Sequence, residues 1–410
     1  MPPQEQRHVC TDKPPPLTRP FLNSLLFGNF VIGSGVMVVA GTLRDMARAL
    51  DTEPSDLGVL ISGASLTICV AAPLLAALVG QWDRRRLLTL CMLWYAVLHL
   101  LEALAPNLDV LLPLRLASML APALFSPQAA ACVGWLAQPH QRGRAVTYVF
   151  LGWSAASVLG MPLSAWAGNH FGWRATFAAL SVLSLISAIW LSRAMPSGIR
   201  PPPLDLRAWT SLVRNPMLML CVLCSALFSG GQFMLLAYFS PFFRDELGLG
   251  PAELSLLFAW FGVLSFVGNA VASRHIDRLG AERMLLMALA AIALSLLMWP
   301  LTRVPGLLWV AVAPWALAIF VANTAQQSRL VGFAPGAASA TVSFNASAMY
   351  GGQAVGAAGG AWLLATHHVD QMHWYALGAV LAAMALSVAA TALRHRHALR
   401  APEPRAVQGG

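Results

Sequence analysis

Long apolar runs alternate with short polar turns along almost the whole chain. Each run is roughly 20 residues long, enough for one helix to cross the ~30 Å of a bilayer core. Counting runs predicts twelve spans. The first six lie at 21–43, 57–79, 87–105, 110–135, 145–168 and 174–192. The second six lie at 217–240, 253–273, 284–301, 306–328, 340–364 and 374–393. Between the two sets sits a polar stretch with Pro201-Pro202-Pro203, Arg200, Arg207 and Arg214. The expected order is a tail (1–20), a first half (21–195), a linker (196–215), a second half (216–395) and a second tail (396–410). The fold class is all-α and membrane-spanning.

The polar turns set the orientation. Gly80-Gln81-Trp82-Asp83-Arg84-Arg85-Arg86 is a knot of charge between two apolar runs. Three adjacent arginines do not sit in hydrocarbon, and arginine-rich short loops stay cytoplasmic. A related turn, Ser273 to Arg283, returns in the second half and also centres on Asp-Arg, at Asp277-Arg278. Arg44-Asp45 and Arg244-Asp245 end equivalent spans. Pro54-Ser55-Asp56-Leu57 and Pro251-Ala252-Glu253-Leu254 open equivalent spans, each with an acid where the helix dipole favours one. Pro139 to Gly160 aligns without gaps onto Pro335 to Gly356, internal symmetry of the kind found in secondary transporters. With both termini inside, twenty lysines and arginines fall on the cytoplasmic side and five outside, the split expected of the right topology.

Composition agrees. The chain is 58% hydrophobic and 10% charged, against ~25% charged for a soluble domain. Its net charge of +9 is spread as small clusters at the ends of runs, so it signals orientation and not nucleic-acid binding. The first run is too long for a signal-peptide core and reads as an uncleaved span. Cys221-x-x-Cys224 has a redox spacing but no βαβ pattern around it, so it reads as two small residues on one helix face. No cofactor, disulfide or metal is expected, and no Walker sequence appears.

Spans five and eleven carry a stripe of small residues. Gly152, Ala156, Gly160, Ser164 and Gly168 recur every four residues, as do Ala348, Gly352, Gly356 and Gly360. Such stripes let helix backbones approach closely. They are expected to pack ordinary neighbours, to be smooth faces on which the two halves slide or rock, or both. Pro162 is expected to bend span five.

Together these residues resemble the major facilitator superfamily, over about residues 20–395. The Gly80-x-x-Asp83-Arg84-Arg85-Arg86 turn is similar to the family's signature between spans two and three. Gly160-Met161-Pro162 resembles its antiporter motif. Arg142-Gly143-Arg144-Ala145, Gly172-Trp173-Arg174-Ala175-Thr176-Phe177 and Asn345-Ala346-Ser347-Ala348 resemble the bacterial drug and sugar efflux branch. The resemblance implies two six-helix bundles around a central cavity lined by spans one, four, seven and ten. It implies a cavity opening to each side in turn, a latch at Gly80, Asp83, Arg84, Arg85 and Arg86 with Asp277 and Arg278 as second copy, and a bacterial inner-membrane location.

Arg115 is the sharpest single signal, an arginine about six residues inside span four. Burying it costs roughly 2.5–3.5 kcal/mol, so it is expected to face a wet cavity or a partner, unless it snorkels outward. It matches the family's span-four arginine, tied to proton coupling in related exporters. Its repeat-equivalent is Ala311, so symmetry does not explain it. His99 and Glu102 share one face of span three. A Glu102–Arg115 pair across the hairpin is expected, the alternatives being a Glu102 that reaches outer water and a His99 that is merely packed. Span one has no carboxylate before Asp45, where exporters of this branch often carry one.

Uncharged polar residues are candidate cavity lining: Asn29, Ser34, Gln232, Tyr238, Asn323, Gln326, Gln327, Asn345, Tyr350 and Gln353. For each the alternative is a hydrogen bond between helices. They suit a neutral, zwitterionic or amphipathic solute. The leading expectation is a monomeric proton-linked exporter of small organic molecules, with no enzymatic activity. An importer or uncoupled facilitator is the alternative. A membrane enzyme is a distant one, since His367, His368, Asp370 and His373 fit neither a metal motif nor a triad.

Overall fold

The computed structural model describes residues 17–52, 57–200, 206–239, 242–304, 306–333 and 337–400. The outer parts of both expected tails, the Pro54-Ser55-Asp56 helix start, the Pro201-Pro202-Pro203 stretch and Pro335 lie outside the described residues, as do the side chains of Arg44, Arg244 and Asp245.

The first half holds α1 (Arg19–Ala49), α2 (Gly58–Leu78), α3 (Arg84–Leu104), α4 (Leu108–Ser118), α5 (Leu120–Leu136), α6 (Arg142–Ala155), α7 (Met161–Phe171) and α8 (Trp173–Ala194). A short α9 (Leu206–Arg214) follows. The second half holds α10 (Pro216–Leu236), α11 (Pro251–Leu279), α12 (Ala281–Leu297), α13 (Leu307–Phe333), α14 (Ala338–Ala365) and α15 (Met372–Arg400). No strand occurs among the described residues.

Local chemistry places the helix starts. Asp83 caps α3 by accepting the Arg86 amide at 3.1 Å, and Asn107 and Asn215 cap α4 and α10 in the same way. Gly172 (φ 81°) and Gly280 (φ 83°) make the tight corners into α8 and α12, conformations that suit glycine. Among the described residues, ten stretches are long and apolar enough to cross a membrane. The fourth runs through both α4 and α5, and the fifth through α6 and α7. α12, with 17 residues, and α14, rich in glycine and serine, bring the spans to the expected twelve.

Two spans are interrupted. α4 gives way to α5 at Met119, because Pro122 has no amide for the Ser118 carbonyl and its ring presses on that turn. In the fifth span a π turn, Ala156–Gly160, separates α6 from α7. Pro162 follows directly, so the expected bend takes the form of this widened turn.

Packing repeats between the halves. α1 lies on α6 and α7, and α10 on α14; α3 lies on α8, and α12 on α15. The halves meet through α2 with α14 and α6 with α11, helped by α5 with α14 and α6 with α13. Large apolar side chains such as Leu66, Leu78, Val97, Val182, Met287 and Val388 remain exposed around the outside, a belt that suits lipid.

Candidate functional site

A dry polar group lies inside the first half. On α3, Tyr95, His99 and Glu102 follow at helical spacing, and His99 and Glu102 are both 0% exposed. His99 Nδ1 lies 2.6 Å from Glu102 Oε2. The other carboxylate oxygen accepts the Ser118 hydroxyl at 2.7 Å. His99 stacks edge-on against Tyr95 and Phe177. Its Nε2 has no hydrogen-bond partner and points at the backbone of Gly35. Tyr95 donates to the Ile32 carbonyl at 3.3 Å.

Arg115 is 1% exposed and does not snorkel. Its Nη1 donates to the Gly35 carbonyl at 2.9 Å and its Nη2 to the Val36 carbonyl at 3.0 Å. The expected Glu102–Arg115 ion pair is therefore corrected. Glu102 is closed in by His99 and Ser118, and the guanidinium is committed to α1. The link between them is indirect: Ser118 touches the carboxylate and lies 2.8 Å from the Arg115 carbonyl. The reading of Glu102 as reaching outer water fails as well. Sequence reasoning missed Ser118 and Gly35. Ser118 stands one turn after Arg115 on the same face, which was the available signal. Gly35 leaves no room for a Cβ beside Tyr95 and His99, so it lets α3 reach the α1 backbone.

The small-residue stripes close seams inside each half. A Cβ at Gly152 would collide with the Leu26 carbonyl of α1 and one at Gly160 with Ser34, while one at Gly168 would press closely on Thr42. In the second half Gly352 sits on Ala226, Gly356 on Gly230 and Gly360 on Met234, all of α10. These faces do not run between the halves. The sliding-surface reading is corrected to backbone packing of span one on five and of seven on eleven.

The bonds between halves run from the arginine-rich end to about mid-depth. Asp277, at the end of α11, accepts the Arg144 amide with both oxygens at 3.1 Å, and the Gly143 amide beside it, across the interface. These amides begin α6, where the helix dipole favours an acid. Gln128 meets Ser339 at 2.5 Å, Thr147 meets Ser328, and Ser347 donates to the Cys69 carbonyl. Asn269 of α11 donates to Ser154 at 2.8 Å and accepts from Thr324.

The two signature turns differ. Asp83 is the acid of the expected latch in the first half. It takes the Gly198 amide at the start of the linker at 2.6 Å and the Arg86 amide of its own turn, and neither lies in the second half. Arg84 is 1% exposed and donates to Val79 and Gly80, while Arg85 is half-buried and Arg86 exposed. Arg278 is exposed.

Most lining candidates are committed to neighbours. Asn29 bonds Ser126 and Val149, Gln232 bonds Trp315 and Phe228, and Tyr238 bonds Ala357. Gln326 bonds Cys221 and Asn345 bonds Ser225. Gln327 donates to Asn323. Asn323, Tyr350 and Gln353 are half-buried, and the Ser34 hydroxyl has no partner. Arg329, one residue past the expected end of the tenth span, is 3% exposed within α13 and bonds Ser387 and Thr391. In the last outer loop Asp370 pairs with Arg303.

A sequence profile described as Major Facilitator Superfamily matches residues 25–357. The chain is 32% identical to the chloramphenicol resistance protein of Streptomyces lividans over 66% of this chain and 69% of that protein. It is 26% identical to the inner membrane transport protein YdhP of Escherichia coli O157:H7, covering 89% and 94% of the two chains. It is also 26% identical to a probable sugar efflux transporter of Mannheimia succiniciproducens, covering 88% and 91%. In fold it is similar to the human organic anion transporter MFSD10, at a TM-score of 0.76 and 17% identity over 91% of this chain and all of the other.

Proposed function

The chain belongs to the major facilitator superfamily, and from that membership we propose a proton-coupled exporter of small organic molecules, acting by alternating access in a bacterial inner membrane. Both termini and the arginine-rich turns face the cytoplasm, as the positive-inside split favours. The relatives named for chloramphenicol resistance and sugar efflux support outward movement of a small organic solute.

The observation that carries the coupling is the buried group His99–Glu102–Ser118 beside Arg115. It is the dry place in the first half where a proton changes the local charge, and it touches span one through two carbonyls. With Glu102 ionised, its charge balances Arg115 in a low-dielectric setting. A proton arriving on the His99–Glu102 pair removes that balance and loosens the Arg115 hold on Gly35 and Val36. Span one is packed glycine-close on the fifth span, which in turn meets α11 of the other half, so a shift of span one reaches the interface. Asp277 on the α6 amides is the latch of the state closed at the cytoplasmic end. Asp83 holds the turn after span six in place. Asn323, Tyr350 and Gln353 contact the solute, and their lack of charge favours a neutral or amphipathic one.

The test is transport in proteoliposomes under an imposed pH gradient, with a panel of neutral, cationic and anionic solutes. Flux that follows the gradient and collapses with a protonophore is expected. Equal flux with and without the gradient would replace this proposal by the second reading, an uncoupled facilitator. The absence of an acid inside span one favours that second reading.

A further inference from the structure

At the arginine-rich end of the second half, a cavity of about 690 Å³ opens between the ends of α12, α13 and α15. It is remote from the His99–Glu102 group and plays no part in the coupling proposed above. Its floor is charged. Arg329 Nε faces Glu282 Oε1 at 3.4 Å, and Arg394 Nη2 meets Glu282 Oε2 at 3.0 Å. Arg283 stands exposed on the same wall. Both Arg329 and Arg394 lie over the Phe333 ring, at 5.3 and 5.4 Å.

Three guanidiniums line the cavity beside one carboxylate, so it carries two uncompensated positive charges. Arg329 is 3% exposed, and neither its Nε nor Glu282 Oε1 makes a hydrogen bond. The α12 N-terminus adds its own positive end at Ala281. Gly280 and Gly332 keep the mouth open, with nothing near either Cα where a side chain would stand. The rim is different in kind. Leu279 and Val388 are 38% and 53% exposed, and Leu286 and Ala392 continue this apolar lip on the wall of the cavity. A cationic floor with an apolar lip, set where a membrane-spanning helix bundle meets the bilayer surface, matches an amphiphile with an anionic head.

We propose that this cavity binds a phosphate-bearing anion between Arg283, Arg329 and Arg394, the phosphate of an anionic phospholipid headgroup being the source that also uses the apolar lip. Bidentate guanidinium–phosphate geometry is available from Arg394, which is 43% exposed and therefore able to turn from Glu282 to a ligand. Binding would hold the ends of α12, α13 and α15 together.

The test uses the full chain in detergent micelles, which have no sidedness, so the outcome does not depend on the orientation proposed above. Native mass spectrometry would compare retention of phosphatidylglycerol with that of phosphatidylcholine, and a parallel arm would add inorganic phosphate as competitor. Two net charges at the surface predict roughly a 30-fold preference for the anionic lipid. That preference should fall to a few-fold or less in R283Q/R394Q. Because Arg329 is buried, R329Q is kept as a second variant and read only if it remains monodisperse. Displacement of the lipid by millimolar phosphate would assign the same site to the free anion. An equal preference in wild type and R283Q/R394Q, or no preference in wild type with no phosphate effect, would overturn the proposal.

Discussion

Arg115 is held by two carbonyls, and this determines what its replacement does. Lysine offers a point charge where a planar fork spans two acceptors. Arg115→Lys should lower transport at least about tenfold, and Arg115→Ala should abolish it, since Glu102 then stays buried without its cation. The checks are initial rates in proteoliposomes together with a monodisperse elution profile, which separates lost function from lost folding. Glu102→Gln keeps the Ser118 bond but cannot change charge. Transport by this variant should lose its dependence on pH, and a retained profile would remove Glu102 from the coupling. At this scale the sequence was half legible. Arg115, His99 and Glu102 stand out because charged groups in apolar runs are rare. The direction each points is set by Gly35 and Ser118, which look like ordinary small residues until α1 and α3 are brought together.

Helix boundaries were legible wherever a cap, a proline or a glycine corner marks them. Asp83, Asn107, Gly172 and Gly280 show this. The break at Met119 and the π turn at Ala156–Gly160 were not, because hydrophobic periodicity does not register one residue more or less per turn. In the fifth span the π turn helps to keep the stripe on one face. Small residues every four positions drift about 40° per step on an ideal α-helix. One widened turn takes up much of that drift, so Gly152, Gly160 and Gly168 all face α1. Gly356 packs on the Gly230 backbone with no space for a Cβ, whereas Gly378 of α15 has nothing within 4 Å of that position. Gly356→Ala should therefore cost roughly 1–3 kcal/mol, and Gly378→Ala should be neutral or gain up to about 1 kcal/mol. Thermal unfolding followed by size-exclusion chromatography would rank the two.

Across the whole molecule, the twelve-span order and the two-fold repeat followed from run lengths and arginine placement. The partners across the interface did not, since contacts between distant helices leave no periodic trace. Cys69 of α2 lies 3.5 Å from where a Cβ on Gly351 of α14 would stand. Gly351→Cys should therefore form a disulfide with Cys69 under mild oxidation, within ordinary geometry. Transport should stop on oxidation and return with reductant if the two halves must part. The repeat is also unequal: Asp277 crosses to the opposite half, and its counterpart Asp83 does not. What Asp277 grips is peptide backbone, common to every amino acid but proline. Asp277→Asn should thus weaken closure, and selection for revertants should not recover it by swapping charges at 143 or 144. Suppressors should arise instead at helix ends elsewhere, or restore the acid itself, making position 277, in the last turn of α11, a point of genetic fragility.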